Sequence, residues 1–297
     1  MFQIQHVSKS TNFIPNSMHL SKDSLQKKAI QYVASKTQSG VPVDRDIRIT
    51  VHFHPDTLYQ GRFLIEELAD RGEYLSQFET GTSNGGLTAI VGGERWQWES
   101  CIFGGIYDSA PALERPKYGS LNFRKRSLGG SPRFGSAFFQ LKEATLDRAT
   151  FCYPDSYYSP ENFSVAQSSY LIDIARADRK DILDDYIEAQ IHGPLSIAND
   201  VEILVLDPCY KNTRVEEVAS QLPCKVEWHS GFILLSEVIV QHQNYRGEEY
   251  VQLGLALMKD GMLTAKDIGE AAATGKYSAQ DLKKVWHYVA RWGGNYS

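Results

Sequence analysis

Cysteine is scarce in this sequence. Its 297 residues include four, Cys101, Cys152, Cys209 and Cys224, and no two stand at C-x-x-C spacing. No histidine-rich run lies beside them, so no zinc site is expected. A low, unpatterned cysteine count fits a reducing working compartment. Long apolar runs are also missing. None approaches the roughly 20 residues of a membrane-spanning helix, so no membrane partner is expected. Positive charge is not in excess: the net charge is −5, with Lys and Arg scattered. That argues against nucleic acid, which needs a clustered basic footprint. Arg124-Lys125-Arg126 is the one dense basic run, and it reads as a solvated turn. Three motifs are absent too. No G-x-G-x-x-G joins a strand to a helix, no Gly-Lys-Ser/Thr closes a phosphate loop, and there is no G-x-S-x-G elbow. Rossmann, Walker and serine-hydrolase devices are thereby excluded.

What is present is ordinary for a globular protein: 42% hydrophobic and 23% charged residues. Met1 to Ser24 is polar, without the basic head and apolar core of a Sec-type signal. Ser21 to Ala34 reads as a helix, capped by Ser21 or Asp23. Ile47 to Phe53 alternates strictly, with Ile47, Ile49, Val51 and Phe53 inward and Arg48, Thr50, His52 and His54 on the other face. Pro55 ends this strand, and Asp56 or Thr57 is expected to cap a helix through Ala69, closed by Arg71-Gly72. Gln77 to Gly86 is polar, glycine-bearing and crowded with hydroxyls. It reads as a loop, either satisfying its own backbone or approaching a ligand.

Glu114 to Phe123 leads into a short strand. Phe134 to Leu141 and Ala149 to Tyr153 read as two more, joined by a short helical or turn segment around Lys142 to Leu146. Asp173 to Asp185 reads as an acidic helix, and Val201 to Leu206 and Lys225 to Leu235 as strands. Cys152 reads as a core thiol. After Gly247 the period becomes helical: Val251 to Leu257, Lys266 to Ala273, and Ser278 to Trp292 with Ser278 as cap. The expected organisation is a polar segment and helix over 1–45, a core over 46–246 and a C-terminal helical subdomain over 247–297. Without regular strand–helix alternation, the class is α+β.

The most pointed stretch is Asp185-Tyr186-Ile187-Glu188-Ala189-Gln190-Ile191-His192-Gly193. Extended, it puts Ile187, Ala189 and Ile191 on an apolar face and Tyr186, Glu188 and Gln190 on a polar one. Such a face is either the wet side of a strand or a cleft wall that steadies a developing positive charge on a sugar. His52-Phe53-His54-Pro55-Asp56 is the second, because a strand end presents side chains to a cleft. A His-x-His pair needs a third ligand to hold a metal, and the sequence points to none.

Laid in order, His52 to Asp56, Gln77 to Gly86, Glu114-Arg115-Pro116-Lys117-Tyr118-Gly119-Ser120-Leu121-Asn122 and Tyr186 to Gly193 resemble the bacterial effector family of CteC-type mono-ADP-ribosyltransferases. The resemblance covers most of the chain from Ile47. It implies an ADP-ribosyltransferase-like split, mixed or antiparallel β-sheet core with flanking helices. Members modify a threonine of host ubiquitin. The superfamily places a His or Arg on the first strand, a Tyr or Ser/Thr on a middle one and a catalytic Glu opening a late one.

The resemblance implies His52 or His54, Tyr118 and Glu188 here; Arg48 with Thr82-Ser83 offers an Arg-Ser-Glu alternative. NAD would be the substrate, with Glu188, Tyr118, His52 and His54 as catalytic residues. His52, His54, Thr82, Ser83, Asn84, Tyr118 and Asn122 would contact NAD, and Gln190, where the toxin branch has a second Glu, would lie on the acceptor side. A specialised secretion system, a host-cytosol target and a monomer are implied. Trp96, Trp98 and the C-terminal helices are candidate docking surfaces. The alternatives are an NAD glycohydrolase and a non-catalytic module binding a peptide or sugar.

Overall fold

A computed structural model describes residues 24–81 and 88–296. The strands, in chain order, are β1 (Ile49–Phe53), β2 (Leu58–Tyr59), β3 (Arg62–Phe63), β4 (Lys117–Leu121), β5 (Ala137–Leu141), β6 (Ala149–Tyr153), β7 (Asn162–Val165), β8 (Ile187–Ile191), β9 (Val201–Leu206), β10 (Lys225–Trp228), β11 (Leu234–Leu235) and β12 (Met262–Leu263). The helices are α1 (Leu25–Lys36), α2 (Leu64–Arg71), α3 (Gln77–Thr80), α4 (Glu94–Ile102), α5 (Leu171–Ala177), α6 (Ile197–Asp200), α7 (Arg214–Ala219), α8 (Ser236–Gln241), α9 (Glu248–Leu257), α10 (Ala265–Ala273) and α11 (Ala279–Trp292).

The fold is α+β. One eight-stranded sheet runs β10-β9-β5-β1-β4-β8-β6-β7. Every neighbouring pair is antiparallel except β9 and β10, which are parallel. The alternation of β1 and β8 is realised. Ile49, Val51, Phe53, Ile187, Ala189 and Ile191 enter the main hydrophobic core with Phe139 and Phe151. The opposite face carries Thr50, His52, Tyr118, Ser120, Glu188 and Gln190. Helices cover it, so β1 and β8 are buried on both faces.

Several boundaries depart from expectation for physical reasons. The helix after Pro55 begins eight residues later than Asp56, at Leu64, after the short β2–β3 hairpin. Asp56 is spent on a tertiary contact, accepting the Tyr210 hydroxyl at 3.0 Å. Glu66 reaches back to the Phe63 amide instead, at 3.1 Å. Gly72, at φ 68, closes α2 as anticipated. The acidic helix stops at Ala177, since Asp181 turns its carboxylate to the Leu183 amide at 3.0 Å and competes with helical bonding. The run Lys225 to Leu235 is two strands, parted at Gly231 with φ 91. Gln77–Thr80 is one helical turn, capped by Ser76 with Glu79 completing the box. Ser24 caps α1, and Ser21 and Asp23 lie outside the described residues.

Ser278 caps α11 as expected. The C-terminal helices share the sheet's core: Val285, Trp286 and Val289 belong to the same cluster as Ile49 and Phe139. Trp286 donates its indole N–H to Pro132 O at 3.1 Å and meets His54 edge-on at 4.7 Å between ring centroids. None of the helices among the described residues is long and apolar enough to cross a membrane.

Candidate active site

The sheet divides between β1 and β4. These strands share only the pairs Ile49–Leu121 and Thr50–Ser120. Beyond them, Val51 to Phe53 pair with β5 alone, and Lys117 to Gly119 with β8 alone. Gly119 stands at the crotch, where a Cβ would come within 2.7 Å of Thr50 O. A cleft of about 1150 Å³, open mouth included, occupies the fork. His52 lines it from β1, Tyr118 from β4 and Glu188 from β8; Arg95, Tyr186 and Phe134 complete that end.

Glu188 is 6% exposed and fully dressed. Its Oε2 accepts the Ser156 amide at 3.2 Å and the Ser156 hydroxyl at 2.7 Å. Its Oε1 accepts Gln190 Nε2 at 3.0 Å and lies 3.8 Å from Arg95 Nη1. Burial raises the carboxyl above the ordinary glutamate range, outweighing Arg95, which lowers it. Ser156 is placed by the turn after β6, where Asp155 accepts the Tyr157 amide at 3.2 Å and also the Tyr186 hydroxyl.

Helix α4 supplies the rest. Arg95 and Glu99 are one turn apart and share a face. Arg95 donates to Ser156 Oγ at 2.6 Å, and its guanidinium lies 4.1 Å from the Tyr118 ring centroid. Its Nε is buried without a hydrogen-bond partner, as is Gln77 Oε1 on the same cleft. Glu99 accepts the Tyr118 hydroxyl at 2.6 Å and Arg115 Nη1 at 2.5 Å. Tyr118 is thus fixed at its hydroxyl and covered on one ring face by a cation. Burial pushes its phenol well above the usual range, so it is neutral.

Of the two histidines, His52 faces the cleft and His54 does not. His52 Nδ1 donates to Gly135 O at 3.1 Å, and Nε2 accepts the Ser131 amide at 3.3 Å. With both nitrogens engaged and burial lowering its pKa to about 3, it is a neutral wall of the cleft rather than a free donor. His54 bonds Ser136 Oγ at 3.3 Å beneath Trp286. Three further expectations are corrected. Asn122 ties a turn, bonding Arg126 O at 2.9 Å and the Arg126 amide at 3.0 Å. Gln190 has no exposure and serves Glu188 and Thr150, so it does not reach an acceptor. Arg48 lies outside the cleft on Glu202, at 3.0 Å. Thr82, Ser83 and Asn84 lie outside the described residues. Trp96 and Trp98 are half-buried, the former donating to Asp108 O at 3.3 Å.

Arg95, Glu99 and Ser156 were not anticipated. Arg95–Glu99 at i, i+4 beside Trp98, and a serine directly after a capping Asp155, were the local signals available. Among the described residues, no group of three or more His, Cys, Asp or Glu could hold a metal ion.

The family model described as "Protein of unknown function (DUF3626)" matches residues 48–168 and 161–292. The chain belongs to the DUF3626 family. A search of curated proteins gave no match. The span matched to DUF3626 runs from β1 through α11, and so takes in His52, Arg95, Tyr118, Ser156 and Glu188.

Proposed function

We propose that the protein is a mono-ADP-ribosyltransferase with an ADP-ribosyltransferase-like split sheet, moving ADP-ribose from NAD to a hydroxyl side chain of a protein. One observation carries the reading. A histidine, a tyrosine and a glutamate, in that chain order, meet on three adjacent strands where the sheet forks. The acceptor in this proposal is a threonine of host ubiquitin, reached after delivery by a specialised secretion system.

In this mechanism the bond between ribose C1′ and nicotinamide breaks, and its electron pair leaves with the neutral pyridine. Glu188, held by Ser156 and Gln190, faces the oxocarbenium-like ribose and accepts from its 2′-hydroxyl. A carboxylate set in place beforehand costs no reorganisation at that moment. Losing one such group typically lowers a rate by roughly 10²–10³-fold. The nicotinamide stacks on the face of Tyr118 that Arg95 leaves free. The Arg95 Nε–H, lacking a protein partner, is a ready donor to a ribose or phosphate oxygen. The acceptor hydroxyl then attacks C1′ and gives up its proton to water; being a weak nucleophile, it depends on how the partner protein positions it.

Incubation with labelled NAD, with and without ubiquitin, tests this. Label on ubiquitin together with nicotinamide release is the expected result. Nicotinamide release without label on ubiquitin or another protein would make the protein an NAD glycohydrolase. No release under either condition would leave a non-catalytic module for a peptide or sugar.

A further inference from the structure

Away from the cleft, α11 presents Lys283 and His287 on one face, one turn apart. His287 is 4% exposed, and neither of its ring nitrogens has a hydrogen-bond partner. Arg133 follows Pro132, whose carbonyl accepts from Trp286 at 3.1 Å, and Arg246 donates its amide to the Tyr288 hydroxyl at 3.0 Å, so both flank this turn of α11 beside Lys283. Burial first, and then these three charges, hold its pKa far below the ordinary histidine value. Arg246 Nε is likewise buried and unpartnered. Lys283 is half-buried, feels Arg133 and Arg246, and makes no ion pair among the described residues. Arg133 pairs with Asp184, and Arg246 donates to the Tyr245 hydroxyl at 3.2 Å.

Of the three cations, Arg133 alone makes an ion pair among the described residues, so Arg246 and Lys283 bring two positive charges without a carboxylate partner there. Buried N–H groups without acceptors each cost on the order of 1–3 kcal/mol, and native proteins rarely leave them so. Arg246 Nε–H and the single N–H of the neutral His287 ring are two such groups.

We propose that this cluster binds a dianionic phosphoryl group, free or carried by a nucleotide, between Arg133, Arg246, Lys283 and His287. A carboxylate would cancel one charge, whereas a phosphoryl group cancels both and offers several acceptor oxygens to guanidinium forks. Lys283 and Arg246 are half-buried, which leaves the cluster open to solvent, while His287 is buried. Arg133 is followed by Phe134, which walls the cleft, and Trp286 binds the same turn. An occupant therefore ties α11 to a wall of the cleft. The proposal does not rest on the transferase reading.

The test is titration calorimetry on the full chain with inorganic phosphate, then adenosine monophosphate, against chloride at equal ionic strength. Saturable binding of one phosphate per chain is expected, weakened at least tenfold in Lys283→Gln and in Arg246→Gln. Both positions are half-buried, and circular dichroism checks that each variant folds. Tighter binding of adenosine monophosphate than of phosphate would identify a nucleotide as the source; equal binding would identify free phosphate. Absence of saturable binding by wild type, or unchanged affinity in both variants, overturns the proposal.

Discussion

Ser156 holds Glu188 twice through one oxygen, by its hydroxyl at 2.7 Å and its amide at 3.2 Å. The same hydroxyl accepts from Arg95 Nη1 at 2.6 Å, so one serine oxygen separates the cation from the carboxylate. Ser156→Ala removes this bridge but keeps the amide contact. Arg95 and Glu188, 3.8 Å apart, are then free to close into a direct pair. The expected cost is about 1–3 kcal/mol of stability, since buried charged groups lose a partner. Nicotinamide release from NAD should fall about tenfold, because the carboxylate moves off its position. Denaturant unfolding and a release assay on the same protein separate the effects. Lost stability with unaltered release would make Ser156 structural alone.

Glu188→Gln gives the complementary result. Burial raises the native carboxyl's pKa, so keeping it ionised at neutral pH costs the fold free energy. An amide of the same shape removes that cost, but its NH2 meets the Ser156 or the Gln190 donors where an oxygen accepted before. Stability should fall by about 1–3 kcal/mol, while transfer from NAD falls by roughly 10²–10³-fold. Melting temperature and label transfer, measured side by side, read both. A large loss of stability would mean that Glu188 is retained for the fold.

How far this site was legible follows from where its parts lie in the chain. Glu188, Gln190 and Tyr186 share one strand, and His52 and His54 another, so a period of two placed them on faces without further information. Alternation cannot say how far a neighbouring element extends over that face. That is why His52 and His54 were indistinguishable until Trp286 and the Ser131–Gly135 segment were seen to cover them differently. Arg95 and Ser156 reach Glu188 from 93 and 32 residues away, and no local pattern encodes such a meeting. Helix ends followed the same logic. Ser278 and Gly72 act on their own helices and were readable, whereas Asp56 is claimed by Tyr210 from 154 residues away.

The pH dependence of stability should reflect two opposed sets of buried groups. His52 and His192 have native pKa values lowered to about 3, and His54 to about 4, all by burial. In the unfolded chain they take protons near their ordinary value of about 6.5. Their contribution is therefore complete above that pH and lost as pH falls from there towards 3–4. Asp56 runs the other way. Burial raises it to about 7, so its contribution is present below its unfolded value and lost as pH rises through 7. With His229 and His287, whose pKa values burial also lowers, five imidazoles oppose the three raised carboxyls of Asp56, Glu99 and Glu188, so net stability should fall as pH drops from 6.5 towards 4. Asp56→Asn removes part of the opposing slope and should steepen that fall. Urea midpoints across this range check it; a slope unchanged by Asp56→Asn would mean that the group titrates normally.

Gly119 offers a test of the fork that requires no ligand. Its ideal Cβ would lie 2.7 Å from Thr50 O, with Val51 and Ile49 side-chain carbons at 3.1 and 3.2 Å. The nearest atom is backbone oxygen, which cannot swing aside as a side chain would. Gly119→Val must push β1 and β4 apart where their last shared pair, Thr50–Ser120, holds them. Overpacking of this kind typically costs about 1–3 kcal/mol, and loss of the Thr50–Ser120–Ser131 hydroxyl chain, linked at 3.0 and 2.9 Å, adds to it. The damage should concentrate at the crotch. Amide exchange is expected to quicken for Thr50 and Ser120 while β6 and β7, on the far edge, keep their protection. Uniform loosening of all eight strands would mean that the fork is not a separate mechanical element, and that the cleft depends on the sheet as a whole.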